Sequence, residues 1–172
     1  MYFWRSFFKT QFMKKTLSFL ITGFSLFSFA QQVISPEAVI GIWKLKEAGF
    51  YENNKKVKKD FDACRLQRHY IIKADGTAIY NYYEGSIGDC YKSDPRETYW
   101  KISDGKLVFF IGNEIYQEEK IINFTPKSMI FNSIPLDASN EKDPRIAKIL
   151  QTIHYENLEK ISEEQLQQQL LH

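Results

Sequence analysis

Three histidines, two cysteines and a short acidic run are the residues of this chain best placed to do chemistry. His69, His154 and His172 stand far apart and share no metal-ligand spacing, so no metal site is expected. His69 lies in a strand-like run whose other face carries Tyr70 and Ile72, which predicts a surface histidine. Glu114, Glu118 and Glu119 fall in a charged run and are expected on a solvated strand face. There is no glycine-rich phosphate loop, no G-x-S-x-G elbow and no nucleophile beside a base. The chain reads as non-catalytic, with no cofactor and no metal.

Cys64 and Cys90 are the only cysteines. Their spacing is too long for a redox or metal-binding pair. Between them runs CRLQRHYIIKADGTAIYNYYEGSIGDC, two strand-like segments around Asp75-Gly76. That dipeptide tolerates the positive φ of a tight turn and is a strong hairpin signal. Folding the ribbon there brings both sulfurs to its open end, so one disulfide is expected. On the chain-entropy model, closing a loop of this length contributes about 3–4 kcal/mol.

Aromatic residues make up 16% of the chain and concentrate in strand-like runs, so they decide where a binding surface is sought. Strand alternation sorts them into faces. Tyr80 falls with Tyr82, Trp100 with Ile102, Leu107 with Phe109, and Met129 with Phe131. Tyr70, Tyr80, Tyr82, Trp100, Ile102, Phe109, Met129 and Phe131 are the candidate ligand-contacting residues. The competing reading is that they fill a solid core. The tyrosines favour a cavity, because a buried hydroxyl needs a partner that a ligand or water can supply.

The segments that must position these residues follow in order. Lys14-Lys15, the apolar run LSFLITGFSLFSFA and a small-residue site with Ser28 and Ala30 form a cleavable signal peptide over residues 1–30, with Met13 as its natural start. Its apolar run is too short to span a membrane comfortably, so no transmembrane span is expected in the mature chain. Removing residues 1–30 takes away Arg5, Lys9, Lys14 and Lys15 and no acid, so the net charge falls from +2 to −2. No basic surplus remains to attract nucleic acid. The expected location is extracytoplasmic, periplasmic or secreted, where disulfides persist.

Ser35-Pro36 is a helix start. A first strand is expected at 39–46, then a long polar connection at 47–63 whose Lys55, Lys56, Lys58 and Lys59 are solvated. That connection is alternatively a flap over a pocket mouth, with Phe50, Tyr51 and Phe61 on its underside. Further strands follow through turns at Asp104-Gly105, Gly112-Asn113 and Thr125-Pro126-Lys127, a meander. Residues 144–158 carry both a helical stripe after Asp143-Pro144 and a β-prone QTIHY, and a closing strand at 148–157 is expected. Ser162 and Gln165 form a capping box for a C-terminal helix at 162–171. The domain expected is 31–160, with 161–172 as a helical tail.

The ordered set VIGIWKL, Cys64, IIKADGT, Cys90, Trp100 and DGKL at 104–107 resembles the small lipocalin-like domains of exported bacterial proteins, over roughly residues 39–134. The family pattern is L-x-G-x-W-x-L, a cysteine, F-x-x-D-G-T, a second cysteine, a tryptophan and D-G-K-L. The chain departs from it at Ile71-Ile72, where phenylalanine is common, and in its charged C-terminal region. The resemblance implies an all-β, antiparallel up-and-down β-barrel of about eight strands with a cup-shaped interior. It also implies binding of a small hydrophobic or amphipathic molecule. The alternative is a solid-core envelope module docking a protein partner through 47–63 or the C-terminal helix.

Overall fold

The computed structural model describes residues 34–85 and 88–170. The signal segment expected at 1–30, with Met13 and Ala30, lies outside the described residues. Pro36 fixes the φ of a first helical turn and starts helix α1, Pro36–Val39. The first strand therefore begins at Gly41, not at 39.

Strand β1, Gly41–Glu52, runs through the region expected to be a polar connection. It turns at Asn53 and Asn54, both with positive φ, into β2, Lys55–Lys58. Two consecutive left-handed residues make a tight primed turn, and asparagine is the non-glycine residue that best tolerates that conformation. The lysine cluster is thus largely a paired strand. Its Lys56 and Lys58 reach Glu47 at 3.2 and 3.8 Å, and Lys56 lies 4.0 Å over the Tyr155 ring.

A 3₁₀ turn at Arg65–Gln67 leads to β3, His69–Ile72, and β4, Thr77–Asn81, which pair about the Asp75-Gly76 bend. Gly76 takes the positive φ there. A two-stranded ribbon follows, β5 Tyr83–Glu84 with β6 Tyr91–Lys92. The Cys64–Cys90 disulfide ties it to the 3₁₀ turn, as expected, with Cα atoms 5.5 Å apart. Then come β7 Arg96–Ser103, β8 Lys106–Ile111, β9 Glu114–Thr125 and β10 Ser128–Ser133. Asp104 and Gly105, at φ 52° and 72°, make the β7–β8 turn the sequence announced.

Residues 144–161 hold both of the elements that competed there. Helix α2, Pro144–Gln151, is capped by Asp143, which accepts from the Arg145 N–H at 2.8 Å. Strand β11, His154–Ile161, follows, so the closing strand lies later than 148–157. The apolar stripe of α2 belongs to a surface helix whose Ile146 and Ile149 remain exposed. Helix α3, Glu163–Leu170, starts on the expected capping box: Ser162 N–H donates to Gln165 Oε1 and Gln165 N–H to Ser162 Oγ.

The strand order is β11-β10-β9-β8-β7-β4-β3-β1, and β1 pairs with β11 from Ile42–Ile161 to Phe50–His154. Eight strands therefore close on themselves and leave the ring without a free edge. Irregular register in β1–β11, β8–β9 and β9–β10 marks bulges, which bend strands enough to curl a sheet.

One end is sealed. Val39 of α1 is wholly buried, the Trp43 indole N–H donates to its carbonyl at 2.6 Å, and Lys160 Nζ reaches the Ala38 carbonyl at 3.3 Å. Trp43, Ile72, Leu107, Phe124, Met129 and Leu158 belong to the cluster above it. Fully burying each such side chain contributes roughly 1.5–3 kcal/mol.

His69 is not a surface residue. It is 3% exposed and its neighbour Asn81 is 2% exposed. Tyr83 of the disulfide-held ribbon lies 6.0 Å from the His69 ring, on the sheet face that would otherwise meet water. His69 Nδ1 donates to the Gln67 carbonyl at 2.7 Å, and Nε2 accepts from Asn81 Nδ2 at 2.9 Å. Burial lowers its pKa, so the ring is neutral and both nitrogens are used.

Candidate functional site

The end opposite α1 is built from the far half of β1, the start of β3, the stretch after β4 and the start of β11. Arg68 leaves the 3₁₀ turn in strand phase with Tyr70 and Ile72, so it faces the barrel interior. Its guanidinium lies 3.7 Å from the Tyr82 ring centroid and 5.1 Å from that of Phe61. Arg68 is 9% exposed, and its Nε has no hydrogen-bond partner. Around it opens a cavity of about 580 Å³ lined by Lys59, Phe61, Arg65, Arg68, Tyr82, Glu84, Gly85 and Tyr91. That volume lies within the usual range for small-molecule sites.

Aromatic rings lead inward from this mouth. Tyr82 meets Tyr80 edge-on at 5.9 Å, Tyr80 stacks on Tyr70 at 4.3 Å, and Tyr70 stacks on Phe109 at 5.5 Å and meets Phe131 edge-on at 6.1 Å. Two carboxyls share this depth. Tyr70 Oη donates to Glu156 Oε2 at 3.5 Å, and Gln117 Nε2 donates to Glu119 Oε1 at 2.7 Å. The other Glu119 oxygen is buried without a partner.

Glu119 was expected on a solvated face, yet it is 6% exposed. It shares the inward phase of Gln117 and Ile121 on β9. Burial pushes its pKa up to about 7, and the charge of Glu156 adds to the rise. Burial likewise pushes Glu156 up to about 7, against the pull of the Arg68 cation and the Tyr70 hydrogen bond. Burial also raises Tyr70 and Tyr80 well above the ordinary tyrosine value, so both remain neutral hydroxyls. This geometry can hold an apolar ring, accept or donate hydrogen bonds, and receive an anion at Arg68.

A family model described as a lipocalin-like domain matches residues 39–131. The chain belongs to the lipocalin-like domain family. Proteins of the lipocalin fold are generally non-catalytic binding proteins. Among solved structures, three forms of bovine odorant-binding protein are similar. The deswapped triple mutant is 14% identical, with 77% of this chain and 83% of that chain covered, at a TM-score of 0.38. The complex with undecanal is 15% identical, with coverages of 78% and 79% and a TM-score of 0.40. The protein from nasal mucosa is 15% identical, with coverages of 78% and 80% and a TM-score of 0.39. So distant a likeness adds nothing to the closure of the sheet, which rests on the β1–β11 pairing itself. No curated protein matches the chain.

In this lipocalin-like barrel the eight residues singled out from the sequence divide by depth. Tyr82 lines the cavity, and Tyr80 and Tyr70 continue from it. Phe109 and Phe131 pack on Tyr70, deeper still. Tyr70, Trp100, Phe109, Met129 and Phe131 all belong to the packed hydrophobic cluster, Tyr80 and Ile102 pack against it, and the Trp100 indole N–H donates to the Lys73 carbonyl at 2.8 Å, so of the eight only Tyr82 lines the cavity.

Of the proposed flap residues, Phe61 lines the mouth, whereas Phe50 packs near His154 and Tyr51 near Tyr155. Arg65, Arg68, Glu84, Tyr91 and Glu156 were not picked from the sequence, and Glu119 was placed on a solvated face. The strand phase of Arg68 with Tyr70, and of Glu156 with Leu158, was the available signal. Among the described residues no group of His, Cys, Asp or Glu could hold a metal ion, and no helix is long and apolar enough to cross a membrane.

Proposed function

We propose that this chain is an exported, non-catalytic lipocalin-like carrier that holds one small hydrophobic or amphipathic molecule at the open end of its barrel. The observation that carries this reading is the cavity of about 580 Å³, whose inner wall, Tyr82 and Arg68, continues into the Tyr80–Tyr70 stack. The ligand's apolar part rests on Tyr82, with Tyr80, Tyr70, Phe109, Phe131, Met129, Trp100 and Ile102 as the packed apolar ground beneath. Apolar burial there contributes roughly 25 cal/mol per Å² before the costs of association. Export follows from the signal-like leader and agrees with the Cys64–Cys90 bond, because oxidising compartments preserve such bonds. The mature domain is residues 31–160 with the tail at 161–172.

Native mass spectrometry of protein purified from its own host tests this. A discrete co-purifying mass, lost from a Tyr82→Ala variant, is the expected result. Repeated recovery of the bare chain, with no uptake of fluorescent fatty-acid probes, refutes it.

A second reading is a partner-docking module. The exposed Ile146 and Ile149 of α2 and the neighbouring Leu136 favour it. An Ile146→Ser, Ile149→Ser variant that keeps ligand uptake separates the two.

A further inference from the structure

The cavity's charges are lopsided. Lys59, Arg65 and Arg68 line it against one carboxylate, Glu84, which already accepts from Tyr91 Oη at 3.1 Å. The ion pairs of the described residues involve none of those three cations. Asp62, next to the site in sequence, accepts the Arg65 backbone N–H at 2.9 Å instead.

Arg68 is the unusual member. A guanidinium this deeply buried ordinarily has its N–H groups matched, since an unmet buried donor is destabilising, the more so when charged. Its Nε is nevertheless unpartnered, and its planar group lies over the Tyr82 and Phe61 rings. Glu156 makes no ion pair with it among the described residues; burial raises that carboxyl to about 7, against the pull of the Arg68 and Lys59 cations.

Two further features belong to the same wall. Arg65 is exposed at the rim, 5.9 Å from the Phe61 ring centroid. Phe61, Tyr82 and Tyr91 supply flat apolar surface on the cavity wall. Guanidinium groups suit a carboxylate or sulfonate because their forked donors match two of its oxygens at once. Aromatic walls suit a flat apolar body.

We propose that the cavity selects a small aromatic monoanion, its carboxylate or sulfonate on Arg68 with Arg65 and Lys59 at the rim, and its ring on Tyr82 and Phe61. This rests on the carrier reading above and adds the charge and shape of the ligand. A neutral or cationic amphiphile of equal size leaves the buried guanidinium unmatched and binds less well.

The test compares two fluorescent probes that share one aryl skeleton. 1-Anilinonaphthalene-8-sulfonate carries the anion and N-phenyl-1-naphthylamine does not. Each is titrated into the oxidised full-length protein, and competition is then run with 1-naphthoate and 1-naphthylmethylammonium. The sulfonate is expected to bind at least about tenfold more tightly, and naphthoate to displace it while the ammonium does not.

Arg68→Gln is expected to remove that preference, bringing the affinities of the two probes to within about threefold of each other. Because Arg68 is buried and its replacement can unfold the chain, the exposed pair Arg65→Gln, Lys59→Gln is measured as well, with an expected threefold or greater loss for the anion alone. Equal affinity of the two probes in the natural protein, or an anion preference untouched in the folded variants, overturns the inference and leaves the carrier reading standing. No saturable binding of either probe defeats the carrier reading itself.

Discussion

Replacing Glu119 by glutamine removes an ionisable group and keeps its shape, which isolates the energetic effect of a carboxyl inside the barrel. In the folded chain burial raises this carboxyl to about 7, against an ordinary value of 4.5. The folded state therefore holds a proton that the unfolded state has already released. Stability is then highest below the unfolded pKa and declines as pH rises from about 4.5 to about 7, levelling off above that.

A gap of roughly 2.5 pKa units corresponds to about 3 kcal/mol. Glutamine carries no such penalty, and its amide can still accept from Gln117. Glu119→Gln is expected to match the natural protein within about 0.5 kcal/mol at pH 4.5 and to be more stable by about 2–3 kcal/mol at pH 8. Glu156, whose charge contributes to the rise at Glu119, loses that repulsion in the variant, which adds to the gain at high pH. His69, whose burial lowers its pKa, destabilises the fold as pH drops below 6.5 in both, so the difference between the two curves cancels it.

Urea denaturation followed by tryptophan fluorescence at half-unit steps from pH 4.5 to 8.5 measures the difference. A variant no more stable at pH 8 than at pH 4.5, relative to the natural protein, refutes the placement of an ionisable Glu119 inside the barrel.

Three other perturbations probe the disulfide, the β1–β2 contact and the buried His69–Asn81 pair. Reducing Cys64–Cys90, or replacing both cysteines by serine, is expected to lower unfolding free energy by about 3–4 kcal/mol, read as a shift in the urea midpoint with and without reductant. A shift under 1 kcal/mol contradicts the role given to the bond. Gly49→Ala places a methyl against the Val57 carbonyl and within 2.5 Å of the Tyr155 ring. It is expected to cost about 1–3 kcal/mol and to speed amide exchange in β2 ahead of the rest of the barrel. Asn81→Ala leaves His69 Nε2 without its donor and is expected to cost about 1–3 kcal/mol at pH 7.5, against a negligible change for the exposed Asn113→Ala.

Much of the barrel could be read from local signals because local physics decides those parts. Asp104-Gly105 forms its turn from backbone preference alone, and the Ser162–Gln165 box caps α3 through side chains three residues apart. The cysteine pair needed only a hairpin between its members. Asn53-Asn54 was missed because, without glycine and beside four lysines, it looks like solvated loop. Yet the same two residues adopt the left-handed pair a primed turn requires. In residues 144–161 one apolar stretch serves a surface helix and then a buried strand, and only the β1 partner decides where the second begins.

The site was harder still. His69 and Glu119 sit at positions whose burial is set by distant segments, the disulfide-held ribbon for one and the opposing barrel wall for the other. Arg68 did carry a signal, its phase with Tyr70 and Ile72. A charged residue at an inward position reads as an exception until the rings around it are in place.

The account depends on the open end of the barrel being a cavity that a small molecule reaches. Adding N-phenyl-1-naphthylamine to ¹⁵N-labelled oxidised protein and following amide shifts tests this most directly. Saturable shifts concentrated on Phe61, Arg68, Tyr82, Gly85 and Tyr91 are the predicted result. Unchanged spectra at saturating probe, or shifts confined to the exposed face of α2 around Ile146 and Ile149, would contradict it.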